Sequence, residues 1–261
     1  MIITLAKHHG LGNDFLVLHN PPDVDLPSLA RKVCDRRRGV GADGLLIVED
    51  AEGFDARMTL YNADGSRAEM SGNGIRCFAQ SVARRRESLA PLRILTDAGE
   101  RLVEMWATSD PDTLDASVSM GAASPLPVPG NWHALELDPG RPVLHLSLGN
   151  PHSVVATDDV HAVDLVAAGA LVPHLNLELI QAGPEPDAIT MRVHERGAGI
   201  TEACGTGATA AAYAAARWGL VEPGIREITV HMDGGDAKVR LGDELTLIGP
   251  TTYIATATVE V

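Results

Sequence analysis

Three observations predict two similar lobes of mixed α/β type, each a largely antiparallel β-sheet barrel wrapped around a central helix. One block of sequence occurs twice in the 261-residue chain. Each copy runs from a Gly-x-Gly motif into a helical pattern, and short strand-like segments separated by turn clusters surround both copies.

The repeat is read directly. Residues 58–84 fall on 191–217 without a gap, aligning Met58 with Met191, Glu69 with Glu202, Gly72 with Gly205, Gly74 with Gly207, Ala79 with Ala212, Ala83 with Ala216 and Arg84 with Arg217. Earlier in each half, Leu11-Gly12-Asn13 answers Leu148-Gly149-Asn150. The period is far too long for a solenoid and marks a duplicated lobe. After Gly74, residues Ile75, Phe78, Ala79, Val82 and Ala83 follow the spacing of one helical face. Their counterparts Ala208, Ala211, Ala212, Ala215 and Ala216 form an all-alanine stripe, which lets neighbouring backbone approach and predicts a helix buried by its sheet.

The N-terminus reads as a first strand. Further strands are predicted at 44–49, 56–61, 92–96, 101–107, 113–119, 143–148, 189–194, 226–232, 236–241 and 245–249, with turns such as Asp233-Gly234-Gly235 between them. A helix-like segment runs from Ser28 to Arg38. The Pro- and Gly-rich stretch 121–142 is read as the join, giving lobes of 1–120 and 121–251, with a strand at about 252–261 packing back onto the first lobe.

Composition narrows the function. Hydrophobic residues at 45% and charged residues at 21% describe a globular chain. A net charge of −14 leaves no basic face to neutralise phosphates, which argues against nucleic acid. No segment approaches about 18 uninterrupted apolar residues, so no membrane partner is expected. Cys34, Cys77 and Cys204 form no CxxC pair and no even-numbered framework, which fits a reducing cytoplasm.

Each half carries a Glu, a spacer, a small residue with Oγ or Sγ, then Gly-x-Gly. These are Glu69-Met70-Ser71-Gly72-Asn73-Gly74 and Glu202-Ala203-Cys204-Gly205-Thr206-Gly207. Glycines let backbone approach a ligand, and the first turn of a helix offers unpaired N–H groups that suit a carboxylate. The same position is expected to lower the Cys204 thiol from its usual value of about 8.5 toward neutrality. Two such helix ends facing one cleft between lobes would set a proton carrier on each side of a bound carbon, which is what inverting an amino-acid α-carbon requires. The expected ligand is therefore a small amino acid, with no metal and no cofactor.

At this point the segments HGLGNDF (9–15), RRGVGADGLL (37–46), NADGSRAEMSGNGIRC (62–77), LGNPH (148–152), HERGAG (194–199) and EACGTGA (202–208) closely resemble diaminopimelate epimerase, in order and over nearly the whole chain. The resemblance implies a two-lobed, pyridoxal-phosphate-independent isomerase that interconverts LL- and meso-diaminopimelate in lysine and cell-wall precursor synthesis, working as a homodimer with two cysteines as acid and base. Carried across by position, Cys204 matches the second catalytic cysteine. Asn13, Asn62, Asn73, Asn150 and Asn176 match asparagines that hold the substrate's amino and carboxylate groups. Gly72, Glu195, Arg196, Gly205 and Thr206 match further substrate contacts, and His152 and Glu195 match residues that tune the thiols.

Ser71 stands where that family has its first catalytic cysteine. A hydroxyl is several pKa units less acidic than a thiol, each unit being worth about 1.4 kcal/mol, and it is a weak base unless activated. Cys77 lies roughly 9 Å further along the helix axis and cannot substitute. An engineered change, an altered chemistry such as an elimination needing one thiol, and an epimerase with weaker or differently supported catalysis all stay open. The family's interface aromatic falls near Ala255, with Tyr253 close but out of register.

The alternatives to this epimerase are a racemase or dehydratase of another amino acid on the same fold, a degenerate amino-acid-binding paralogue, and a cysteine hydrolase using His152 or His194 as base. Gly39–Gly44 fits GxGxxG but follows a helix and precedes a strand, the reverse of a dinucleotide site. His8 and His9 point to opposite faces of a strand, Cys34 is a core residue, and Arg36–Arg38 and Arg84–Arg86 are read as solvated helix ends.

Overall fold

In the computed structural model, which describes residues 1–138 and 140–260, the repeated block folds twice into the same arrangement. The elements are β1 (Ile2–Gly10), β2 (Asn13–His19), α1 (Leu26–Cys34), β3 (Gly44–Glu49), β4 (Ala56–Asn62), β5 (Arg67–Ala68), α2 (Gly72–Arg86), β6 (Leu92–Thr96), β7 (Gly99–Ala107) and β8 (Thr113–Gly121). They continue with β9 (Ser124–Pro125), a 3-10 turn at Trp132–Leu135, β10 (Val143–Ser147), β11 (Pro151–Ala156), α3 (Leu165–Leu171), β12 (Asn176–Ala182), β13 (Ala188–Glu195), β14 (Gly199–Thr201), α4 (Gly205–Trp218), β15 (Glu227–Met232), β16 (Gly235–Arg240) and β17 (Leu245–Glu260). One unit holds Met1–Ser119 and the chain from Gly249 onward; the other holds Met120–Ile248.

In the first unit β1, β2, β3, β4, β6, β7, β8 and β17 pair in that order, and β17 closes the ring on β1. Its pairings run antiparallel (β1–β2), parallel (β2–β3), antiparallel (β3–β4), parallel (β4–β6), then antiparallel (β6–β7). The second unit repeats this sequence of directions in β10–β11, β11–β12, β12–β13, β13–β15 and β15–β16. Even the short side strands agree: Leu60 faces Ala68 in one unit, and Val193 faces Thr201 in the other.

Each barrel needs an apolar filling, and the central helix supplies it. Ile75, Cys77, Phe78 and Ala79 of α2 are completely buried, as are Ala208, Ala210, Ala211, Ala212, Ala214 and Ala215 of α4. The short alanine side chains let α4 contact β10, β11, β12, β13, β15 and β16 at once. Outside the first barrel, α1 presses Leu29, Ala30, Val33 and Cys34 onto Leu16, Leu18, Leu45 and Ile47. Cys34 is thus a core residue. Outside the second, Leu165 of α3 packs with Val155, Leu177 and Leu179.

The strands at β2, β11 and β12 and the helix α3 escape the sequence reading. Asn or Pro opens these strands, and each is a brief apolar run without alternation, a pattern that periodicity does not assign. The strands read at 245–249 and about 252–261 are one continuous strand ending at Glu260, and its end pairs with β1 from Ile2↔Glu260 to His9↔Thr252. A bulge between Lys7 and His8 pairs Lys7 with Ala255 and His8 with Tyr253, skipping Ile254.

The helix predicted to reach Arg38 ends at Cys34. Asp35 takes the N–H groups of Arg37 and Arg38, each at 2.8 Å, and turns the chain. Arg36–Arg38 are exposed as read but lie past the helix end, and Arg36 bridges Asp14 and Asp43 at 2.7 and 2.6 Å. Arg84–Arg86 do form the last turn of α2, with Arg84 stacked over Tyr253 and Arg86 paired with Asp55. Among the described residues no helix is long and apolar enough to cross a membrane.

His8 is fully buried, with Nδ1 2.9 Å from Gln80 Oε1. Burial, aided by Arg84, pushes its pKa from 6.5 down to about 4. The unfolded chain thus binds more protons than the folded one between those values, so stability is present above pH 6.5 and is lost as pH falls toward 4. Urea unfolding at pH 7 and pH 4.5 is expected to show a loss of up to about 3 kcal/mol from this residue. His8→Asn should flatten that slope, and an unchanged slope would assign it elsewhere.

Candidate active site

A helix that starts inside a barrel exposes its first N–H groups to protein rather than water, so each needs an acceptor. Ser71 and Cys204 meet that need in the same way. Both are N-caps with extended backbone, at φ −140°, ψ 124° and φ −127°, ψ 113°. Ser71 Oγ accepts from Gly74 N at 3.0 Å, and Cys204 Sγ accepts from Gly207 N at 3.3 Å. The third residue of each helix is glycine, at a position with little room for a side chain. A Cβ on Gly74 would lie 3.0 Å from Ser71 Cβ, and one on Gly207 would lie 2.9 Å from Glu178 Oε1 and 3.2 Å from Cys204 Sγ.

In the first unit Asn73 donates to Asn13 Oδ1 at 3.2 Å, and Asn13 donates to Asp43 Oδ2 at 2.7 Å. Behind them lies Arg76, wholly buried, donating to Asn73 Oδ1 at 2.9 Å, to Gly72 O at 3.1 Å and to Pro250 O at 3.3 Å. Burial lowers its pKa to about 10, so it stays charged at neutral pH. Ser71, Gly72, Asn73 and Asn13 therefore form one cluster. Asn62 ends β4 opposite Gly44, next to Asp43, with its amide on Ser66 Oγ at 3.0 Å.

In the second unit Cys204 Sγ is 3.5 Å from Thr206 Oγ1, which accepts from Asn150 Nδ2 at 3.2 Å. Asn150 Oδ1 is 2.9 Å from His152 Nε2, and His152 Nδ1 is 2.6 Å from Glu178 Oε1. A second group joins Asn176 to the N–H of Arg196 at 2.9 Å and to Pro151 O at 3.1 Å. Glu195 Oε1 accepts from Thr201 at 2.5 Å. Both nitrogens of His152 are engaged away from the sulfur, which is not the arrangement of a hydrolase dyad. The ring of His194 instead fills the space beside Gly169, where a Cβ would lie 2.1 Å from it.

The thiol does not titrate near neutrality as its helix position suggests. Burial, then the carboxylates of Glu195 and Glu178, push Cys204 well above its ordinary value; the Thr206 hydroxyl and Gly207 N–H pull it down and lose. Cys34 and Cys77 are pushed up to about 12, mainly by burial. Sequence reasoning missed Arg76, Asp43 and Glu178. Arg76 was visible three residues after Asn73, on the same helical face. Glu178 was visible as an acid inside the apolar run NLELIQA.

The profile of one protein family, diaminopimelate epimerase, matches residues 5–126 and 145–254. Diaminopimelate epimerase of Magnetococcus marinus is 41% identical over 270 residues, covering 95% of this chain and 94% of that one. The protein of the same name from Desulfitobacterium hafniense is 38% identical over 279 residues, covering 96% and 95%. Among solved structures, a hydroxyproline epimerase from Agrobacterium vitis superposes with a TM-score of 0.71 at 14% identity, covering 99% of this chain and 92% of that one. A phenazine biosynthesis protein of Bacillus anthracis gives 0.72 at 16%, covering 100% of both. At such identities these two show the fold alone.

Because Glu195 raises the thiol, Glu195→Gln is expected to move the pH profile of Cys204 alkylation to lower pH. Iodoacetamide labelling read by peptide mass spectrometry checks this. A profile that stays in place would remove Glu195 from the electrostatics of the thiol.

Proposed function

The chain belongs to the diaminopimelate epimerase family, and on that premise we propose that it interconverts LL- and meso-diaminopimelate by moving the α-proton between two faces of the carbon. The observation that carries the reading is the pair of matching N-caps, Ser71 and Cys204, each on the first turn of a buried helix. Cys204 Sγ takes or returns the proton on one face, and Ser71 Oγ occupies the other.

The remaining groups have parts to play in this scheme. Neutral amides of Asn13, Asn62, Asn73, Asn150 and Asn176 hold the amino and carboxylate groups of the substrate without fixing their charge. Glu195 and Arg196 complement the zwitterion, and the helix-start N–H groups near Gly72, Gly205 and Thr206 stabilise charge growing on the carboxylate as the α-proton leaves. His152 and Glu195 tune the thiol. A substrate that displaces water around Cys204 must also bring positive charge, since the resting thiol is held protonated; the α-ammonium group supplies it. The reaction needs no pyridoxal phosphate. The family membership supports a place in lysine biosynthesis, a cytoplasmic location and a homodimeric active form.

Ser71 weakens the scheme on one face only. General acid–base catalysis by a positioned group contributes about 10²–10⁴-fold. Proton–deuterium exchange at the α-carbons of LL- and meso-diaminopimelate in D₂O is the test. Ser71→Cys is expected to gain inversion by about that factor, while Cys204→Ala abolishes exchange. If neither this chain nor Ser71→Cys binds or exchanges either isomer, diaminopimelate is the wrong substrate.

A further inference from the structure

Arg76 is wholly buried, and the oxygens it donates to are all neutral: Pro250 O at 3.3 Å, Gly72 O at 3.1 Å and Asn73 Oδ1 at 2.9 Å. It stays charged even so, because burial takes its pKa only to about 10. Two glycines make room for it. A Cβ on Gly10 of β1 would stand 3.1 Å from Arg76 Nη2, and one on Gly249 of β17 would stand 3.3 Å from the same atom. Burying a guanidinium with no carboxylate among its hydrogen-bond partners is costly. Here the cost goes into a cation aimed at an asparagine amide.

The far end of the same line is a carboxylate. Asn73 Nδ2 donates to Asn13 Oδ1 at 3.2 Å, and Asn13 Nδ2 donates to Asp43 Oδ2 at 2.7 Å. Asp43 is itself held, since Oδ2 also accepts from Asp14 N at 3.1 Å and Oδ1 accepts from Arg36 at 2.6 Å. A guanidinium only donates and a carboxylate only accepts. Two amides between one donor and one acceptor have a single consistent arrangement, with each carbonyl turned toward Arg76 and each NH₂ toward Asp43. Asn13, half-buried, then keeps one amide hydrogen and one carbonyl lone pair without a partner among the described residues.

We propose that Arg76 and Asp43 are positioning residues that fix, from opposite ends, the amide orientations of Asn73 and Asn13, and so preset the donors and acceptors that meet the head of the substrate in the first unit. They act through the two asparagines. The inference rests on Asn13 and Asn73 holding substrate, as the proposed function has it. Asp43→Asn breaks the line at one end. Arg36 keeps the carbonyl of the introduced amide, so its NH₂ faces the NH₂ of Asn13. Turning Asn13 over sets it against Asn73, and turning Asn73 over sets it against Arg76. One donor then faces another wherever the line turns.

A neutron structure of the unsubstituted, deuterated chain should place the Asn13 amide nitrogen on Asp43 and the Asn73 amide nitrogen on Asn13. Either amide reversed overturns the proposal without any variant. In the full chain labelled with ¹⁵N-asparagine, the bonded side-chain amide hydrogens of Asn13 and Asn73 are expected to exchange with water at least about tenfold faster in Asp43→Asn, with the backbone amides of β7 unchanged. Calorimetric titration with meso-diaminopimelate should show affinity lower by at least about tenfold in Asp43→Asn and in Arg76→Gln. A glutamine carbonyl at position 76 can accept from a reversed line, so the double variant should lose no more than the larger single loss. Additive losses, or full affinity in Asp43→Asn while its amides exchange freely, overturn the proposal. If the unsubstituted chain does not bind meso-diaminopimelate, the proposed function fails, and the neutron and exchange results decide the orientation of the amides by themselves.

Discussion

Each central helix begins inside its own barrel, where Gly72, Asn73 and Gly74 of one and Gly205, Thr206 and Gly207 of the other are buried, and the need of their N–H groups for acceptors shapes the rest of the architecture. Leaving one such donor unpaired would cost about 1–3 kcal/mol. The N-cap must therefore present a lone pair on a short side chain, which serine and cysteine both do, and the third helical residue, glycine in both, packs tightly against its cap. With backbone extended at the cap, the capping atom lies at the positive end of the helix dipole. A residue placed to satisfy a folding requirement is thereby also placed to handle a proton beside an anion. In the proposed reaction, structure and chemistry use the same two atoms.

The two units meet that constraint with different supporting groups. Around Ser71 the support is cationic and rigid: buried Arg76 fixes Asn73, Asn73 fixes Asn13, and the aspartates Asp14 and Asp43 are clamped by Arg36, with Lys7 adding to Asp14 at 3.0 Å. Around Cys204 the support is acidic, with Glu178 and Glu195 both raising the thiol. A duplicated scaffold has thus diverged electrostatically while its strand directions and glycine positions stayed the same. The acidic half keeps the thiol protonated at rest, and a resting thiol is less exposed to oxidation than a thiolate.

Much of this was legible in the sequence because duplication doubles every signal. The Gly-x-Gly starts, the helical face after Gly74, the alanine stripe and most strands stood out in both copies. The catalytic candidates at Ser71 and Cys204 followed from alignment of the halves. The misses have physical causes. Strands β2, β11 and β12 are buried on both faces or begin with turn-forming residues, so they do not alternate. The resting state of Cys204 depends on Glu178 and Glu195, which lie 26 and 9 residues away along the chain and meet the thiol only through sheet pairing. Helix position argued for a low thiol pKa; burial and those two carboxylates outweigh it.

The proposed inversion requires the helix starts at Ser71 and Cys204 to serve opposite faces of one α-carbon. A crystal structure of this chain with bound meso-diaminopimelate tests it most directly. The account predicts the α-carbon between Ser71 Oγ and Cys204 Sγ, with the carboxylate on the N–H groups of both helix starts. An α-carbon in reach of Cys204 alone, with Ser71 turned away from the ligand, would contradict it.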